Sequence, residues 1–184
     1  MTAIARIVRA ARPAARGAIV LAALLAVPPA PAQPPAPDAF AQCRQIGRGV
    51  NIIGYDPIWK SRDQARFQAK HFRLLKEAGF SSVRINLHPF RAMDRSKGFA
   101  LGAPWVETLD WAVQNATNAG LVAILDLHEF HAMAEDPEGN HDRFLAFWRQ
   151  ISGRFRDASG RVMFEILNEP FGKLTPALWN RYAN

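Results

Sequence analysis

Leu121-Val122-Ala123-Ile124-Leu125-Asp126-Leu127-His128 is the stretch on which the fold turns: seven residues, apolar but for one carboxylate, entered through Gly120 and left through a histidine. A strand with one wet face would alternate, so a short run this apolar predicts a parallel strand covered on both faces. On its N-terminal side, Leu109, Ala112, Val113 and Ala116 recur at helical spacing between Pro104 and Gly120. On its C-terminal side, Phe144, Phe147, Trp148, Ile151 and Phe155 make a second amphipathic stripe. The strand therefore sits between two helices that each bury one face against it.

The same alternation continues outward. Val83, Ile85 and Leu87 alternate with Arg84 and Asn86 in a strand over Ser82–Leu87, and an earlier strand covers 50–53. Ser61 and Gln64 have capping-box spacing, which predicts a helix over 62–78 with Ala65, Ala69, Phe72 and Leu75 on its buried face and Gly79 ending it. A fourth strand is expected over 162–167, with Thr175-Pro176 as cap and first position of a fourth helix. Strands alternating with helices imply an α/β fold with a parallel sheet and right-handed crossovers. A doubly wound open sheet competes with a (β/α)8 TIM barrel. No Gly-x-Gly-x-x-Gly turn follows the first strand, which favours the barrel. Four βα units fill about 135 residues where a closed barrel takes ~250, so residues 47–184 are expected to be a barrel truncated to about its first four units.

Ahead of the strands, Arg6, Arg9, Arg12 and Arg16 precede the apolar run from Gly17 to Val27 and then Ala30-Pro31-Ala32. That order predicts a signal peptide over 1–32, cut after Ala32, and a Pro/Ala-rich linker over 33–46. A membrane anchor is the competing reading, but the run falls short of the ~20 residues of a bilayer span, so no stable membrane association is expected after cleavage. Those four arginines supply more than half of the net charge of +7, and the remaining +3 makes no case for a nucleic-acid partner. Cys43 is alone, which excludes an internal disulfide framework. The expected location is secreted or periplasmic.

In parallel barrels the chemistry collects where strands run out. Here those ends carry Arg84 and His88, then Asp126 and His128, then Asn168-Glu169. Four motifs in register, Arg48-Gly49-Val50-Asn51, Val83-Arg84-Ile85-Asn86, Leu125-Asp126-Leu127-His128 and Phe164-Glu165-Ile166-Leu167-Asn168-Glu169-Pro170, resemble glycoside hydrolase family 5, the cellulase family. The resemblance implies a retaining hydrolase of β-linked glucans, monomeric when complete, with no metal or organic cofactor. It implies Glu169 as general acid and base, Asn168 as the neighbour bonding the sugar 2-hydroxyl, Arg84 as the buried arginine below the carboxylates, and His128 on the substrate side. It also implies a nucleophilic glutamate at the end of a seventh strand, which this sequence does not reach, so the chain alone is expected to be inactive.

Physical chemistry supports these roles: a glycosidic oxygen leaves only when protonated, which requires a carboxylic acid held neutral near pH 7. For Arg84 a structural ion pair with Glu165 is the alternative, and the two roles can coexist. His88 and Trp59 are further substrate-side candidates. Tyr55, Phe90, Trp105 and Phe130 join Trp59 as strand-end aromatics, suited either to stacking on sugars or to packing. Glu129 stands where the family often has a second histidine. His128-Glu129-Phe130-His131 falls one residue short of the His-Glu-x-x-His zinc pattern and lies in a strand-to-loop transition, which argues against a metal. A non-catalytic carbohydrate-binding half-barrel is the alternative function.

Overall fold

The structure, a computed structural model, describes residues 38–183. The expected signal peptide and the first part of the linker lie outside the described residues. Within the stretch assigned to the linker, Ala39–Ile46 instead forms helix α1, because the Asp38 carboxylate accepts from Phe40 N at 3.1 Å and caps it. None of its residues is buried.

Strands β1 (Gly49–Ile52) and β2 (Ser82–Leu87) pair in parallel, with helix α2 (Ala69–Glu77) between them in sequence. The single helix expected over 62–78 is broken in two. Ser61 caps only a 3-10 turn at Arg62–Gln64, and α2 restarts behind Gln68, whose side chain and that of His71 exchange bonds with each other's backbone. The interruption has a chemical cause. The Asp56 carboxylate accepts from Arg66 N at 3.2 Å and Phe67 N at 3.0 Å, which pulls residues 66 and 67 out of helical geometry toward the loop after β1. Gly79 ends the helix as expected, at φ +84°.

Between β2 and helix α3 (Ala103–Asn118), two-residue strands β3 (Met93–Asp94) and β4 (Ala100–Leu101) form an antiparallel ribbon that periodicity could not reveal. Strand β5 (Val122–Leu127) follows, then a short helix α4 (Phe130–Glu135) where a loop was expected. Helix α5 (Pro137–Arg154) buries Phe144, Phe147 and Ile151 of the expected stripe. Strand β6 (Val162–Glu165) is shorter than the expected 162–167, although Asn168 N still reaches Leu127 O at 3.0 Å beyond it. Helix α6 (Pro176–Ala183) starts at the expected cap, with Thr175 Oγ1 accepting from Leu178 N.

The sheet order is β1-β2-β5-β6, parallel throughout. Its register sorts the side chains. Val83, Ile85 and Leu87 pair with Ala123, Leu125 and Leu127, all fully buried among residues that include Leu109, Ala112 and Phe147. Each large aliphatic side chain so covered contributes about 1.5–3 kcal/mol. On the opposite parity Asn51 pairs with Arg84, Asn86 with Asp126, and Asp126 with Glu165. One face of the sheet is thus oily, and the other carries a row of polar groups near its C-terminal end.

Candidate active site

The row of polar groups closes around Arg84. Its guanidinium grips Glu165 with two bonds, Nε to Oε2 at 2.6 Å and Nη2 to Oε1 at 2.5 Å. Nη2 also donates to Asn168 Oδ1 at 2.9 Å and lies 3.1 Å from Asp126 Oδ2, while Nη1 reaches Asn51 Oδ1 at 3.4 Å. One side chain therefore links all four strands of the sheet. The bond to Glu165, then the charges of Asp126, Glu165 and Glu169, raise its pKa, so Arg84 stays a cation. Both readings of Arg84 meet here: it pairs with Glu165, and it lies beside Asn168 and within electrostatic reach of Glu169.

Asn168 is buried, and because Arg84 holds its Oδ1, the amide NH2 is the donor still available. Glu169 next to it is exposed and takes φ +39°, a left-handed conformation that a glutamate adopts only when its surroundings impose it. Ile53 at the end of β1 does the same at φ +52°. Gly54 follows because a Cβ there would lie 3.0 Å from that of Asn86.

Beside this cluster lies a cleft of about 470 Å³ lined by residues that include Tyr55, Trp59, Lys60, His88, Arg91, His128 and Phe130. The loop after β1 builds one wall. Trp59 Nε1 donates to Ile53 O at 2.6 Å, and its ring stacks on buried Trp105 at 5.0 Å, so its polar end is spent and its ring borders the cleft. Tyr55, 80% exposed, stacks on His88 at 4.8 Å. Burial, and then the charges of His128 and Arg91, lower the His88 pKa, which keeps the imidazole neutral. Its Nε2 is buried without a partner among the described residues.

The site residues read from the sequence thus fall into two groups. Arg84, Asn168 and Glu169 cluster at the end of β6, whereas His88, His128 and Trp59 line the cleft. Phe90 and Trp105 are core residues rather than a stacking surface. The link between the groups is Asp126, a residue that sequence reading noted at a strand end and gave no role. It is wholly buried, and its Oδ2 receives Arg84, Asn86 Nδ2 at 2.8 Å and His128 Nδ1 at 2.6 Å. Strand parity was the available signal, since Asn51, Arg84, Asn86, Asp126 and Glu165 share one face once the register is known.

Glu129, where a second histidine was the family's usual residue, accepts from Phe90 N at 2.7 Å and so holds the loop after β2. His131 lies in α4, not in a loop, and no group of three or more metal-ligating side chains occurs among the described residues.

Residues 43–184 match the profile of Cellulase (glycosyl hydrolase family 5). The chain belongs to glycosyl hydrolase family 5. Endoglucanase H of Acetivibrio thermocellus is 30% identical over 152 residues, 80% of this chain and 16% of that protein. The xyloglucan-specific endo-beta-1,4-glucanase of Bacteroides ovatus is 31% identical over 129 residues, 67% of this chain and 25% of that protein. Among solved structures, Thermotoga maritima Cel5A in complex with cellobiose superposes with a TM-score of 0.72 at 33% identity, covering 79% of this chain and 48% of that one. The same enzyme in complex with mannotriose gives 0.72 at 32%. This family 5 chain therefore spans less than a third of these curated relatives and about half of these solved structures.

Proposed function

We propose that this chain contributes the acid/base half of an exported, retaining hydrolase of β-linked glucans. The observation that carries this reading is the Asn168–Glu169 pair at the end of β6, with Asn168 held by Arg84 and Glu169 turned outward by a left-handed backbone. Glu169 protonates the glycosidic oxygen and later activates water, and the Asn168 amide donates to the hydroxyl beside the reacting carbon. Sugar units extend from Glu169 into the cleft, over the Trp59 ring and the Tyr55–His88 stack. Export rests on the basic, apolar and small-residue order of 1–32.

A retaining reaction needs a second carboxylate ~5–5.5 Å from the first, free to attack. Asp126 and Glu165 share Arg84 with Glu169, but both are held in internal bonds, so neither serves. The 184-residue chain by itself therefore binds β-glucan oligosaccharides without turnover. In the complete protein, Glu169→Gln lowers kcat/KM on a soluble β-1,4-glucan by about 10²–10⁴-fold with binding retained. Unchanged hydrolysis by that variant removes the reading. Binding without hydrolysis by the complete protein favours the second reading, a carbohydrate-binding module, which the aromatic-walled cleft would serve.

A further inference from the structure

The cleft and the Glu169 cluster meet at one atom, Asp126 Oδ2. Three side chains converge on it: the Arg84 guanidinium and the Asn86 amide NH2, both donors, and the His128 ring through Nδ1. An oxygen that collects a guanidinium and an amide NH2 is an acceptor and carries no proton of its own to give to the ring. The third contact, 2.6 Å to His128 Nδ1, then requires the ring proton to sit on Nδ1. The Asn86 NH2 also lies 3.2 Å from Nδ1, but its bond goes to Asp126 at 2.8 Å.

A neutral histidine free in water prefers its proton on Nε2, so this placement is imposed. His128 is further fixed edge-on between His88, at 5.2 Å, and Phe130, at 5.0 Å, and its Nε2 makes no hydrogen bond among the described residues. The ring borders the cleft.

Building on the proposed hydrolase reading, we infer that Asp126 is a positioning residue: its buried carboxylate keeps the His128 proton on Nδ1 and leaves Nε2 as an acceptor for a substrate hydroxyl. A hydroxyl of the bound sugar then donates a hydrogen bond to Nε2, while Arg84 is held by the same carboxylate beside Asn168. Orientation on the two sides of the site is thereby coupled through one buried group.

The test begins on the unaltered 184-residue chain, labelled with ¹⁵N. Long-range proton–nitrogen spectra at neutral pH are expected to show Nδ1 of His128 as protonated and Nε2 as bare, and cellotetraose is expected to shift the Nε2 signal. A bare Nδ1 with a protonated Nε2 overturns the inference, and no variant has to fold for that result. Asp126→Ala moves the proton population toward Nε2. In the complete protein, the same substitution raises KM for a β-1,4-glucan about 5–30-fold, the loss of one hydrogen bond, with a smaller change in kcat. An Asp126→Ala protein whose tautomer is unchanged also overturns it. The outcome is separable from that for Glu169, because the tautomer is read without hydrolysis: a failed Glu169→Gln test leaves the proton assignment standing, and the reverse holds.

Discussion

At the scale of single residues, the site is governed by which acids are buried. Glu129 illustrates the consequence. Burial raises its pKa from the ordinary 4.5, outweighing the Phe90 N–H and the cations Arg91 and Arg143 that lower it. The folded chain then binds that proton more tightly than the unfolded chain does. Its stabilisation is complete below the unfolded value and is lost as pH rises through the folded one. Glu129→Gln keeps an oxygen to accept from Phe90 N and removes the ionisation. Thermal melts between about pH 4 and 8 are expected to show a flatter decline with pH, and a neutral-pH Tm no lower than that of the parent. An unaltered slope would assign the pH dependence elsewhere.

At the scale of elements, short polar side chains decide where helices begin, and they do so from outside the helix. Asp56 accepts from Ile58 N at 2.9 Å as well as from Arg66 and Phe67, so one carboxylate shapes the loop carrying Tyr55 and Trp59 and sets the start of α2. Asp56→Ala leaves three backbone donors unpaired. The expected cost is about 2–3 kcal/mol in urea denaturation, with weaker oligosaccharide binding at the cleft wall. Asp56→Asn, which keeps one acceptor oxygen, is expected to recover part of the loss. Equal stability of the alanine variant and the parent would show that water replaces the carboxylate freely.

At the scale of the whole molecule, the sheet β1-β2-β5-β6 has two open edges among the described residues. Phe164 in β6 and Ile166 just after it are exposed at one edge, and Gly49 and Asn51 of β1 are exposed at the other. Parallel edges with unpaired backbone groups and apolar flanks recruit other chains. The 184-residue chain is expected to associate as its concentration rises, read by light scattering, and Ile166→Lys is expected to reduce this. A monomer throughout the concentration series would mean that these edges are blunted in solution.

The sequence by itself determined the four strand–helix alternations, the addresses of His128, Asn168 and Glu169 past the strand ends, and the family that they resemble; Arg84, expected at a strand end, lies inside β2 and reaches the site from there through its long side chain. Periodicity and local cap chemistry are properties of neighbours along the chain, and Ser82–Leu87 was legible to the residue for that reason. The break before α2, the two-residue ribbon β3–β4, the division of the site into cluster and cleft, and the part played by Asp126 were decided only by the tertiary structure. Each of them rests on bonds between residues distant in sequence, such as Asp56 with Phe67 or Arg84 with Glu165, 81 positions apart. Such pairings follow from strand register, and register is set when the oily face of the whole sheet is buried at once.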